Sequence, residues 1–423
     1  MTSVRSSGSV PKEPAFDSSL QLLTEGNVFI FRRCQKYQSD IFQVRLLGKK
    51  TLCITGQEAA QEFYQEGRFI RRGAIPSSVL RLLQDKGSVA TLDGPEHHWR
   101  KQLFMSLMQP QAIERLADIV EELWLAALNQ WKTKDEIIFL DEVEKILLHA
   151  VCIWTGIPLT KADIIQRTKE ISAMIEGAGA VGPKNWKGIW LRRKTERWAR
   201  HLINQSRAAT PTMNASLLSK VAHHRTAKGE LLSSEVAAVE LLNILRPTVA
   251  IGRYGLFAAL ALHQFPACRN EIVEKNNSEY IHYFVQEVRR YYPFFPFIGG
   301  LVNEEFKWRS YHFKRGERVL LDLYGTNHDP RLWDKPQEFN PERFRNWNNK
   351  DAFSLIPQGG GDFTSNHRCA GEWLTIALLQ RMVILLTQHM SYDVKPGDLR
   401  IDKNRMPARP RTPLILYNVR KRS

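Results

Sequence analysis

Residues 353–373 read FSLIPQGGGDFTSNHRCAGEW. Gly359, Gly360 and Gly361 lead into a polar loop that ends at His367-Arg368-Cys369-Ala370-Gly371, and an apolar helix is expected over about 372–388. A cysteine just before a helix start meets unpaired backbone N–H groups and the positive end of the helix dipole, which favour thiolate over thiol. Gly371 lets something flat approach the backbone, and the glycine run permits positive φ. Such a loop suits a thiolate presented to a large planar cofactor. A buried, inert thiol fits the same letters, so the rest of the chain has to decide.

At 423 residues, with 43% hydrophobic residues including 11 Trp and 20 Phe, the chain can build one large enzyme domain or two ordinary ones. Its five cysteines are an odd number without paired spacing, so no disulfide framework or CxxC metal site is indicated and a reducing, cytoplasmic setting is expected. No apolar run approaches a membrane span, and the opening MTSVRSSGSVPKEP lacks an apolar core, which disfavours secretion and a transmembrane anchor. The net charge of +16 invites a nucleic-acid reading. Its basic runs, at 190–200, 405–411 and 420–422, form no recognised binding motif and serve acidic ligands or lipid surfaces equally.

Residues 1–17 read as a flexible, Ser-rich lead, and 18–423 as a single domain. Alternating segments at 41–47 and 50–55 predict a strand pair, followed by a helix over 57–65. Apolar residues at three- and four-residue spacing predict helices near 95–108, 110–131, 136–154, 160–177, 184–206 and 232–264. Residues 299–324 suggest a small sheet, with further short strands at 391–394, 400–402 and 413–419. The fold class is mainly α with a minor β region.

Four constellations add chemistry. In TLDGPEHHWRK (91–101), Asp93-Gly94 makes a turn and Pro95 suits a first helical position. His97 and Lys101 share a helix face, and with Arg71 they can hold buried carboxylates such as cofactor propionates; an exposed, charged first turn fits too. Glu287 and Arg290 lie three apart in an ExxR pair, which Arg343 of NPERF can complete; a surface pair is the plain alternative. In VELLNILRPTVAIG, Pro247 removes the N–H that would reach the Asn243 carbonyl, so the 232–264 helix is expected to kink or open. Arg246 beside it sits in an apolar run and needs an anionic partner, either an internal carboxylate or that of a ligand. Finally, His328 ends a strand and turn, where a hydrogen-bonded structural role suits it.

Taken in order, these motifs resemble the cytochrome P-450 superfamily from about residue 25 to the C-terminus. The resemblance implies that fold, a single large heme-binding domain and heme b. It makes Cys369 the proximal iron ligand, assigns Arg71, His97, Lys101 and Arg368 to cofactor binding, and gives Glu287–Arg290–Arg343 a structural role. Two departures narrow it. Arg246-Pro247 replaces the usual acidic residue and Thr of the central helix, and the Cys loop is long and glycine-rich. Both are similar to the fatty-acid peroxygenase branch, whose members use hydrogen peroxide directly, and matches continue in KQLFMSLM (101–108) and QEVRRYYPF (286–294).

Splitting a peroxide O–O bond needs a proton moved between its oxygens, and Arg246-Pro247 has no acidic neighbour to do so. A long-chain fatty acid paired with Arg246 brings its own, and places Cα and Cβ nearest the iron. Arg246 and Pro247 are therefore the expected catalytic pair, with Arg246, Ala90 and Phe294 at the substrate. Ala90 stands where relatives commonly carry His or Gln, and members with His include ones that make terminal alkenes. Its lack of a hydrogen-bonding group favours hydroxylation. No obligatory reductase and no nucleic acid are expected. A reductase-dependent monooxygenase and a non-catalytic heme sensor or carrier are the rival readings; the first predicts dependence on NADPH, the second no turnover.

Overall fold

The long periodic segments fold as helices, and the most apolar of them takes the centre. Ser234–Gln264 runs 31 residues and buries residues on every side, as a helix without a polar face must. It packs against Phe139–Thr155, Pro183–Ala208 and Glu372–Ile384. In this computed structural model, residues 9–422 are described, except 84, 86, 210–215, 276 and 348–350. Of the kink or opening expected at Pro247, the opening is not seen; helical structure is continuous through it. One missing N–H is a local loss that packing on all sides outweighs. The Thr248 hydroxyl donates to the Ile244 carbonyl at 2.8 Å, one position from the carbonyl that Pro247 leaves.

The other long helices fall close to their expected places, at Gly94–Leu107, Pro110–Trp131, Phe139–Thr155, Lys161–Gly177 and Pro183–Ala208. Strands Ile41–Leu46 and Lys49–Ile54 form the hairpin of a five-stranded sheet. Lys49–Ile54 pairs in parallel with Arg318–Asp322, which pairs antiparallel with Phe297–Val302, and Phe69–Ile70 closes the edge. A three-stranded sheet joins Glu136–Ile138, Ile415–Lys421 and Met390–Val394. The result is one mainly α domain with minor sheets.

Of the expected flexible lead, residues 1–8 lie outside the described residues. The remainder is a correction: Val10 is buried, the Gln43 N–H donates to Pro11 and the Glu13 N–H to Gln43, both at 2.8 Å. Backbone pairing to the first strand therefore fixes the chain well before residue 17. Helices Ser19–Glu25 and Phe29–Tyr37 follow it. No described helix is long and apolar enough to cross a membrane.

Candidate active site

The Cys loop is built by its glycines and by cross-chain donors. Gly359 has φ +93°, and a Cβ there would meet the Tyr64 Oη at 2.8 Å. The Cys369 N–H donates to the Gln358 carbonyl at 3.1 Å, closing the loop onto its own start. Lys101 donates to the carbonyls of Asn366 and, at 2.9 Å, Arg368. Glu372, the first residue of the following helix, accepts from Arg368 Nε at 2.6 Å and from Arg289 Nη2 at 2.5 Å. Arg289 also reaches the Gln358 side chain at 3.2 Å.

The buried Arg289–Glu372 pair was not read from the sequence, although Arg289 lies inside the quoted 286–294 segment. It joins the ExxR helix to both ends of the Cys loop. Glu372→Gln leaves two guanidiniums facing a neutral acceptor, and loss of charge-assisted bonds is expected to cost about 1.5–3 kcal/mol. Urea unfolding of the holoprotein measures this, and a displaced Soret band reports the disturbed loop.

Across from the loop, a cavity of about 310 Å³ reaches the central helix. Cys369, Ala370 and Gly371 form one wall; Arg246, Thr248, Ala250 and Ile251 form another; Ala90 and Phe294 contribute at the side. Ala90 sits in a 3₁₀ turn, Val89–Thr91. Phe294 stacks on Tyr254 with centroids 4.3 Å apart, so it is both core and lining. The cavity thus gathers Arg246, Pro247, Cys369, Ala90, Phe294, His97, Lys101 and Arg368.

Arg246 is the anomaly. It is 6% exposed, its Nε has no hydrogen-bond partner, and no carboxylate pairs with it among the described residues. The internal salt bridge that the sequence left open is not formed. Burial, with repulsion from Arg192, pulls its pKa down to about 9, still protonated at neutral pH, while Cys369 acts in the opposite sense. Thr248, the neighbour best placed to relay a proton, already spends its hydroxyl on the Ile244 carbonyl.

Several assignments are refined. Arg71 does not line the cavity: its Nη1 donates to the Gly299 carbonyl at 2.8 Å and its guanidinium lies over Phe63. Backbone N–H groups of Arg71 and Arg72 instead hold Asp93. His97 lies at the cavity edge stacked on His367, centroids 3.7 Å apart, and burial lowers its pKa to about 3, so it is a neutral donor. Burial also lowers Lys101, to about 8. Cys369 corrects a simpler expectation. Burial, with Glu372, pushes its thiol up, against the Gly371 N–H and the charges of Lys101 and Arg289.

The ExxR network forms as expected. Glu287 accepts two buried bonds from Arg290 at 2.7 Å, and two part-buried ones, from Arg343 at 3.3 Å and from the Asn340 N–H at 2.8 Å. His328 is buried, with Nδ1 2.9 Å from the Tyr324 carbonyl, which is a structural place.

The cavity suits a flat, iron-bearing macrocycle. A Cβ added to Gly371 would meet nothing within 4 Å except the Cys369 sulfur at 3.8 Å, so open space lies beside that sulfur. Neutral or cationic donors, His97, Lys101 and Arg368, stand together at one edge, where carboxylates of such a group belong. Among the described residues no group of three or more His, Cys, Asp or Glu could hold a metal ion.

Known proteins agree. The family model described as cytochrome P-450 matches residues 267–416. A variant of cytochrome P-450SP alpha (CYP152B1) superposes with a TM-score of 0.93 at 42% identity, covering 96% of this chain and 100% of that one. Cytochrome P-450EX alpha (CYP152N1), solved with myristic acid, is 42% identical with a TM-score of 0.92, covering 98% and 100%. A variant of cytochrome P-450 OleT, solved with arachidonic acid, is 32% identical with a TM-score of 0.94, covering 98% and 99%. A putative cytochrome P-450 120 of a Synechocystis species is 22% identical over 91% of this chain and 90% of its own length. A thiol beside an open slot, an ExxR network and likeness along the whole chain lead to one assignment: the chain belongs to the cytochrome P-450 family, in the branch its sequence resembles, and is an oxidoreductase with heme b as cofactor.

Proposed function

We propose that this protein is a peroxygenase of long-chain fatty acids, converting R–H and hydrogen peroxide to R–OH and water at the α or β carbon. The observation that carries the reading is Arg246, a buried cation without an internal counter-ion, on the cavity wall facing Cys369. A fatty-acid carboxylate satisfies it with a bidentate, charge-assisted pair. Heme b with a thiolate ligand supplies O–O cleavage and oxidation of the substrate carbon.

The chain's own residues do the rest. Arg246 holds the carboxylate as the acid–base group, whose oxygen takes a proton from one peroxide oxygen and returns it to the other. Pro247 has no N–H and Thr248 donates its hydroxyl to the Ile244 carbonyl, so neither donates a proton to the peroxide. Phe294, Ala250 and Ile251 offer the alkyl chain an apolar wall. The fatty acids named with two of the similar structures support this substrate class. Free cysteines suit a reducing, cytoplasmic setting.

Purified holoprotein, hydrogen peroxide and a saturated long-chain fatty acid, without reductase, are expected to yield α- or β-hydroxy acid. Because Ala90 offers no hydrogen-bonding side chain, terminal alkene is expected as a minor product at most; mainly alkene would reverse the regiochemical part. Turnover only with NADPH and a reductase would overturn the whole.

A further inference from the structure

Helix Pro183–Ala208 turns Gly188, Arg192, Thr195 and Ala199 inward and leaves an opposite stripe to solvent. Trp186, Trp190, Arg193 and Arg197 recur at three- and four-residue spacing on that stripe. Trp186 is 66% exposed and Trp190 63%, and Val181, just before the helix, is 67% exposed. Two neighbouring indoles in water are unusual for a large apolar side chain. Lys187, Arg193 and Arg197, beside them, have no carboxylate partner among the described residues. On the flanks Lys194 pairs with Glu170 and Arg200 with Glu235.

We infer that this stripe is a docking surface for an anionic lipid bilayer. Indoles flanked by cations are the composition of an interfacial helix: the rings sit at the headgroup level and the charges meet lipid phosphates. Charge complementarity comes from the unpaired cations and from the surplus of +16 over the chain. Position agrees. Gly188, on the reverse of the stripe, lets Leu82 of Ser77–Leu83 approach, with a Cβ there 3.2 Å from the leucine methyl. Val79, Leu80 and Leu83 of that short helix line the active cavity. The surface therefore lies over one wall of the lipid-sized pocket. A nucleic acid would meet the same cations, but two adjacent exposed indoles with exposed Val181 fit an acyl boundary better.

The test is binding, independent of turnover. Holoprotein is expected to sediment with phosphatidylcholine vesicles containing phosphatidylglycerol, less so with pure phosphatidylcholine, and to show a blue-shifted Trp emission on the former. Arg193→Glu with Arg197→Glu should weaken vesicle binding more than about tenfold, and Trp186→Ser with Trp190→Ser should remove the blue shift. Arg420→Glu with Lys421→Glu, in a different basic run, should leave both unchanged. An unaltered Soret band in each variant certifies folding. Equal binding to neutral and anionic vesicles, or variants that bind like the parent, would overturn the inference. So would preferential binding to an oligonucleotide lost in the same variants, which reassigns the face to nucleic acid.

Discussion

Arg246→Ala is expected to lower kcat/KM for peroxide-driven oxidation of a long-chain fatty acid by about 10²–10⁴-fold, the usual reach of a positioned acid–base group. The substitution removes no side chain that touches the Cys loop, so the Soret band of the holoprotein should be unchanged. Stability should move the other way. A buried guanidinium with an unsatisfied Nε is a cost to the substrate-free fold, and replacement by Met, close in length and apolar, should raise stability by about 1 kcal/mol or more. Gain in thermal midpoint together with loss of turnover is the signature of a charge kept for its ligand. Arg246→Lys retains the charge but not the planar fork, and should fall between. Full activity in Arg246→Ala would end the substrate-assisted scheme.

Glu287→Ala is expected to be the most damaging single change to the fold. It leaves buried Arg290 and half-buried Arg343 without their common acceptor, and breaking a buried ion pair costs about 3–5 kcal/mol, a large share of the roughly 5–15 kcal/mol typical of a folded domain. The damage should reach the heme site. Arg290 also donates to the Asn327 carbonyl at 3.0 Å, and the Asn327 side chain accepts from the Ile356 N–H at 2.9 Å, at the approach to the Cys loop. Heme bound per chain should therefore fall along with the thermal midpoint. Glu287→Gln, which keeps the shape and part of the bonding, should be milder. A Glu287→Ala protein with full heme content would refute the link.

Much of this was legible in the letters, for physical reasons. Long helices such as Pro110–Trp131 declare themselves because an apolar face repeats over six turns. Ser19–Glu25 buries nothing and so leaves no period to read. Phe29–Tyr37 does have an apolar face, but over only nine residues, and buried Arg33, paired with Glu13 and Glu25, lies on it. In the site, Cys369, Arg246, Ala90 and Phe294 converge as their motif order implied. Arg71 donates to the Gly299 carbonyl, and its charge also acts on His97 and His367 at the cavity; which partner a cation takes depends on what folds beside it. Arg289 and Glu372 escaped because they lie 83 residues apart and nothing in either side chain marks the other.

The turn that carries Ala90 has a property useful to an engineer. Its Val89 N–H is held at 2.8 Å by Glu240 of the central helix, a carboxylate that Arg100 grips from the other side at 2.8 Å. The backbone there is clamped by groups that do not include the side chain at position 90. That position is accordingly a socket: histidine, glutamine or phenylalanine can be exchanged into it against a fixed frame. On the proposed function, exchanges at position 90 are expected to shift the product spectrum while leaving Arg246 and its neighbours in place.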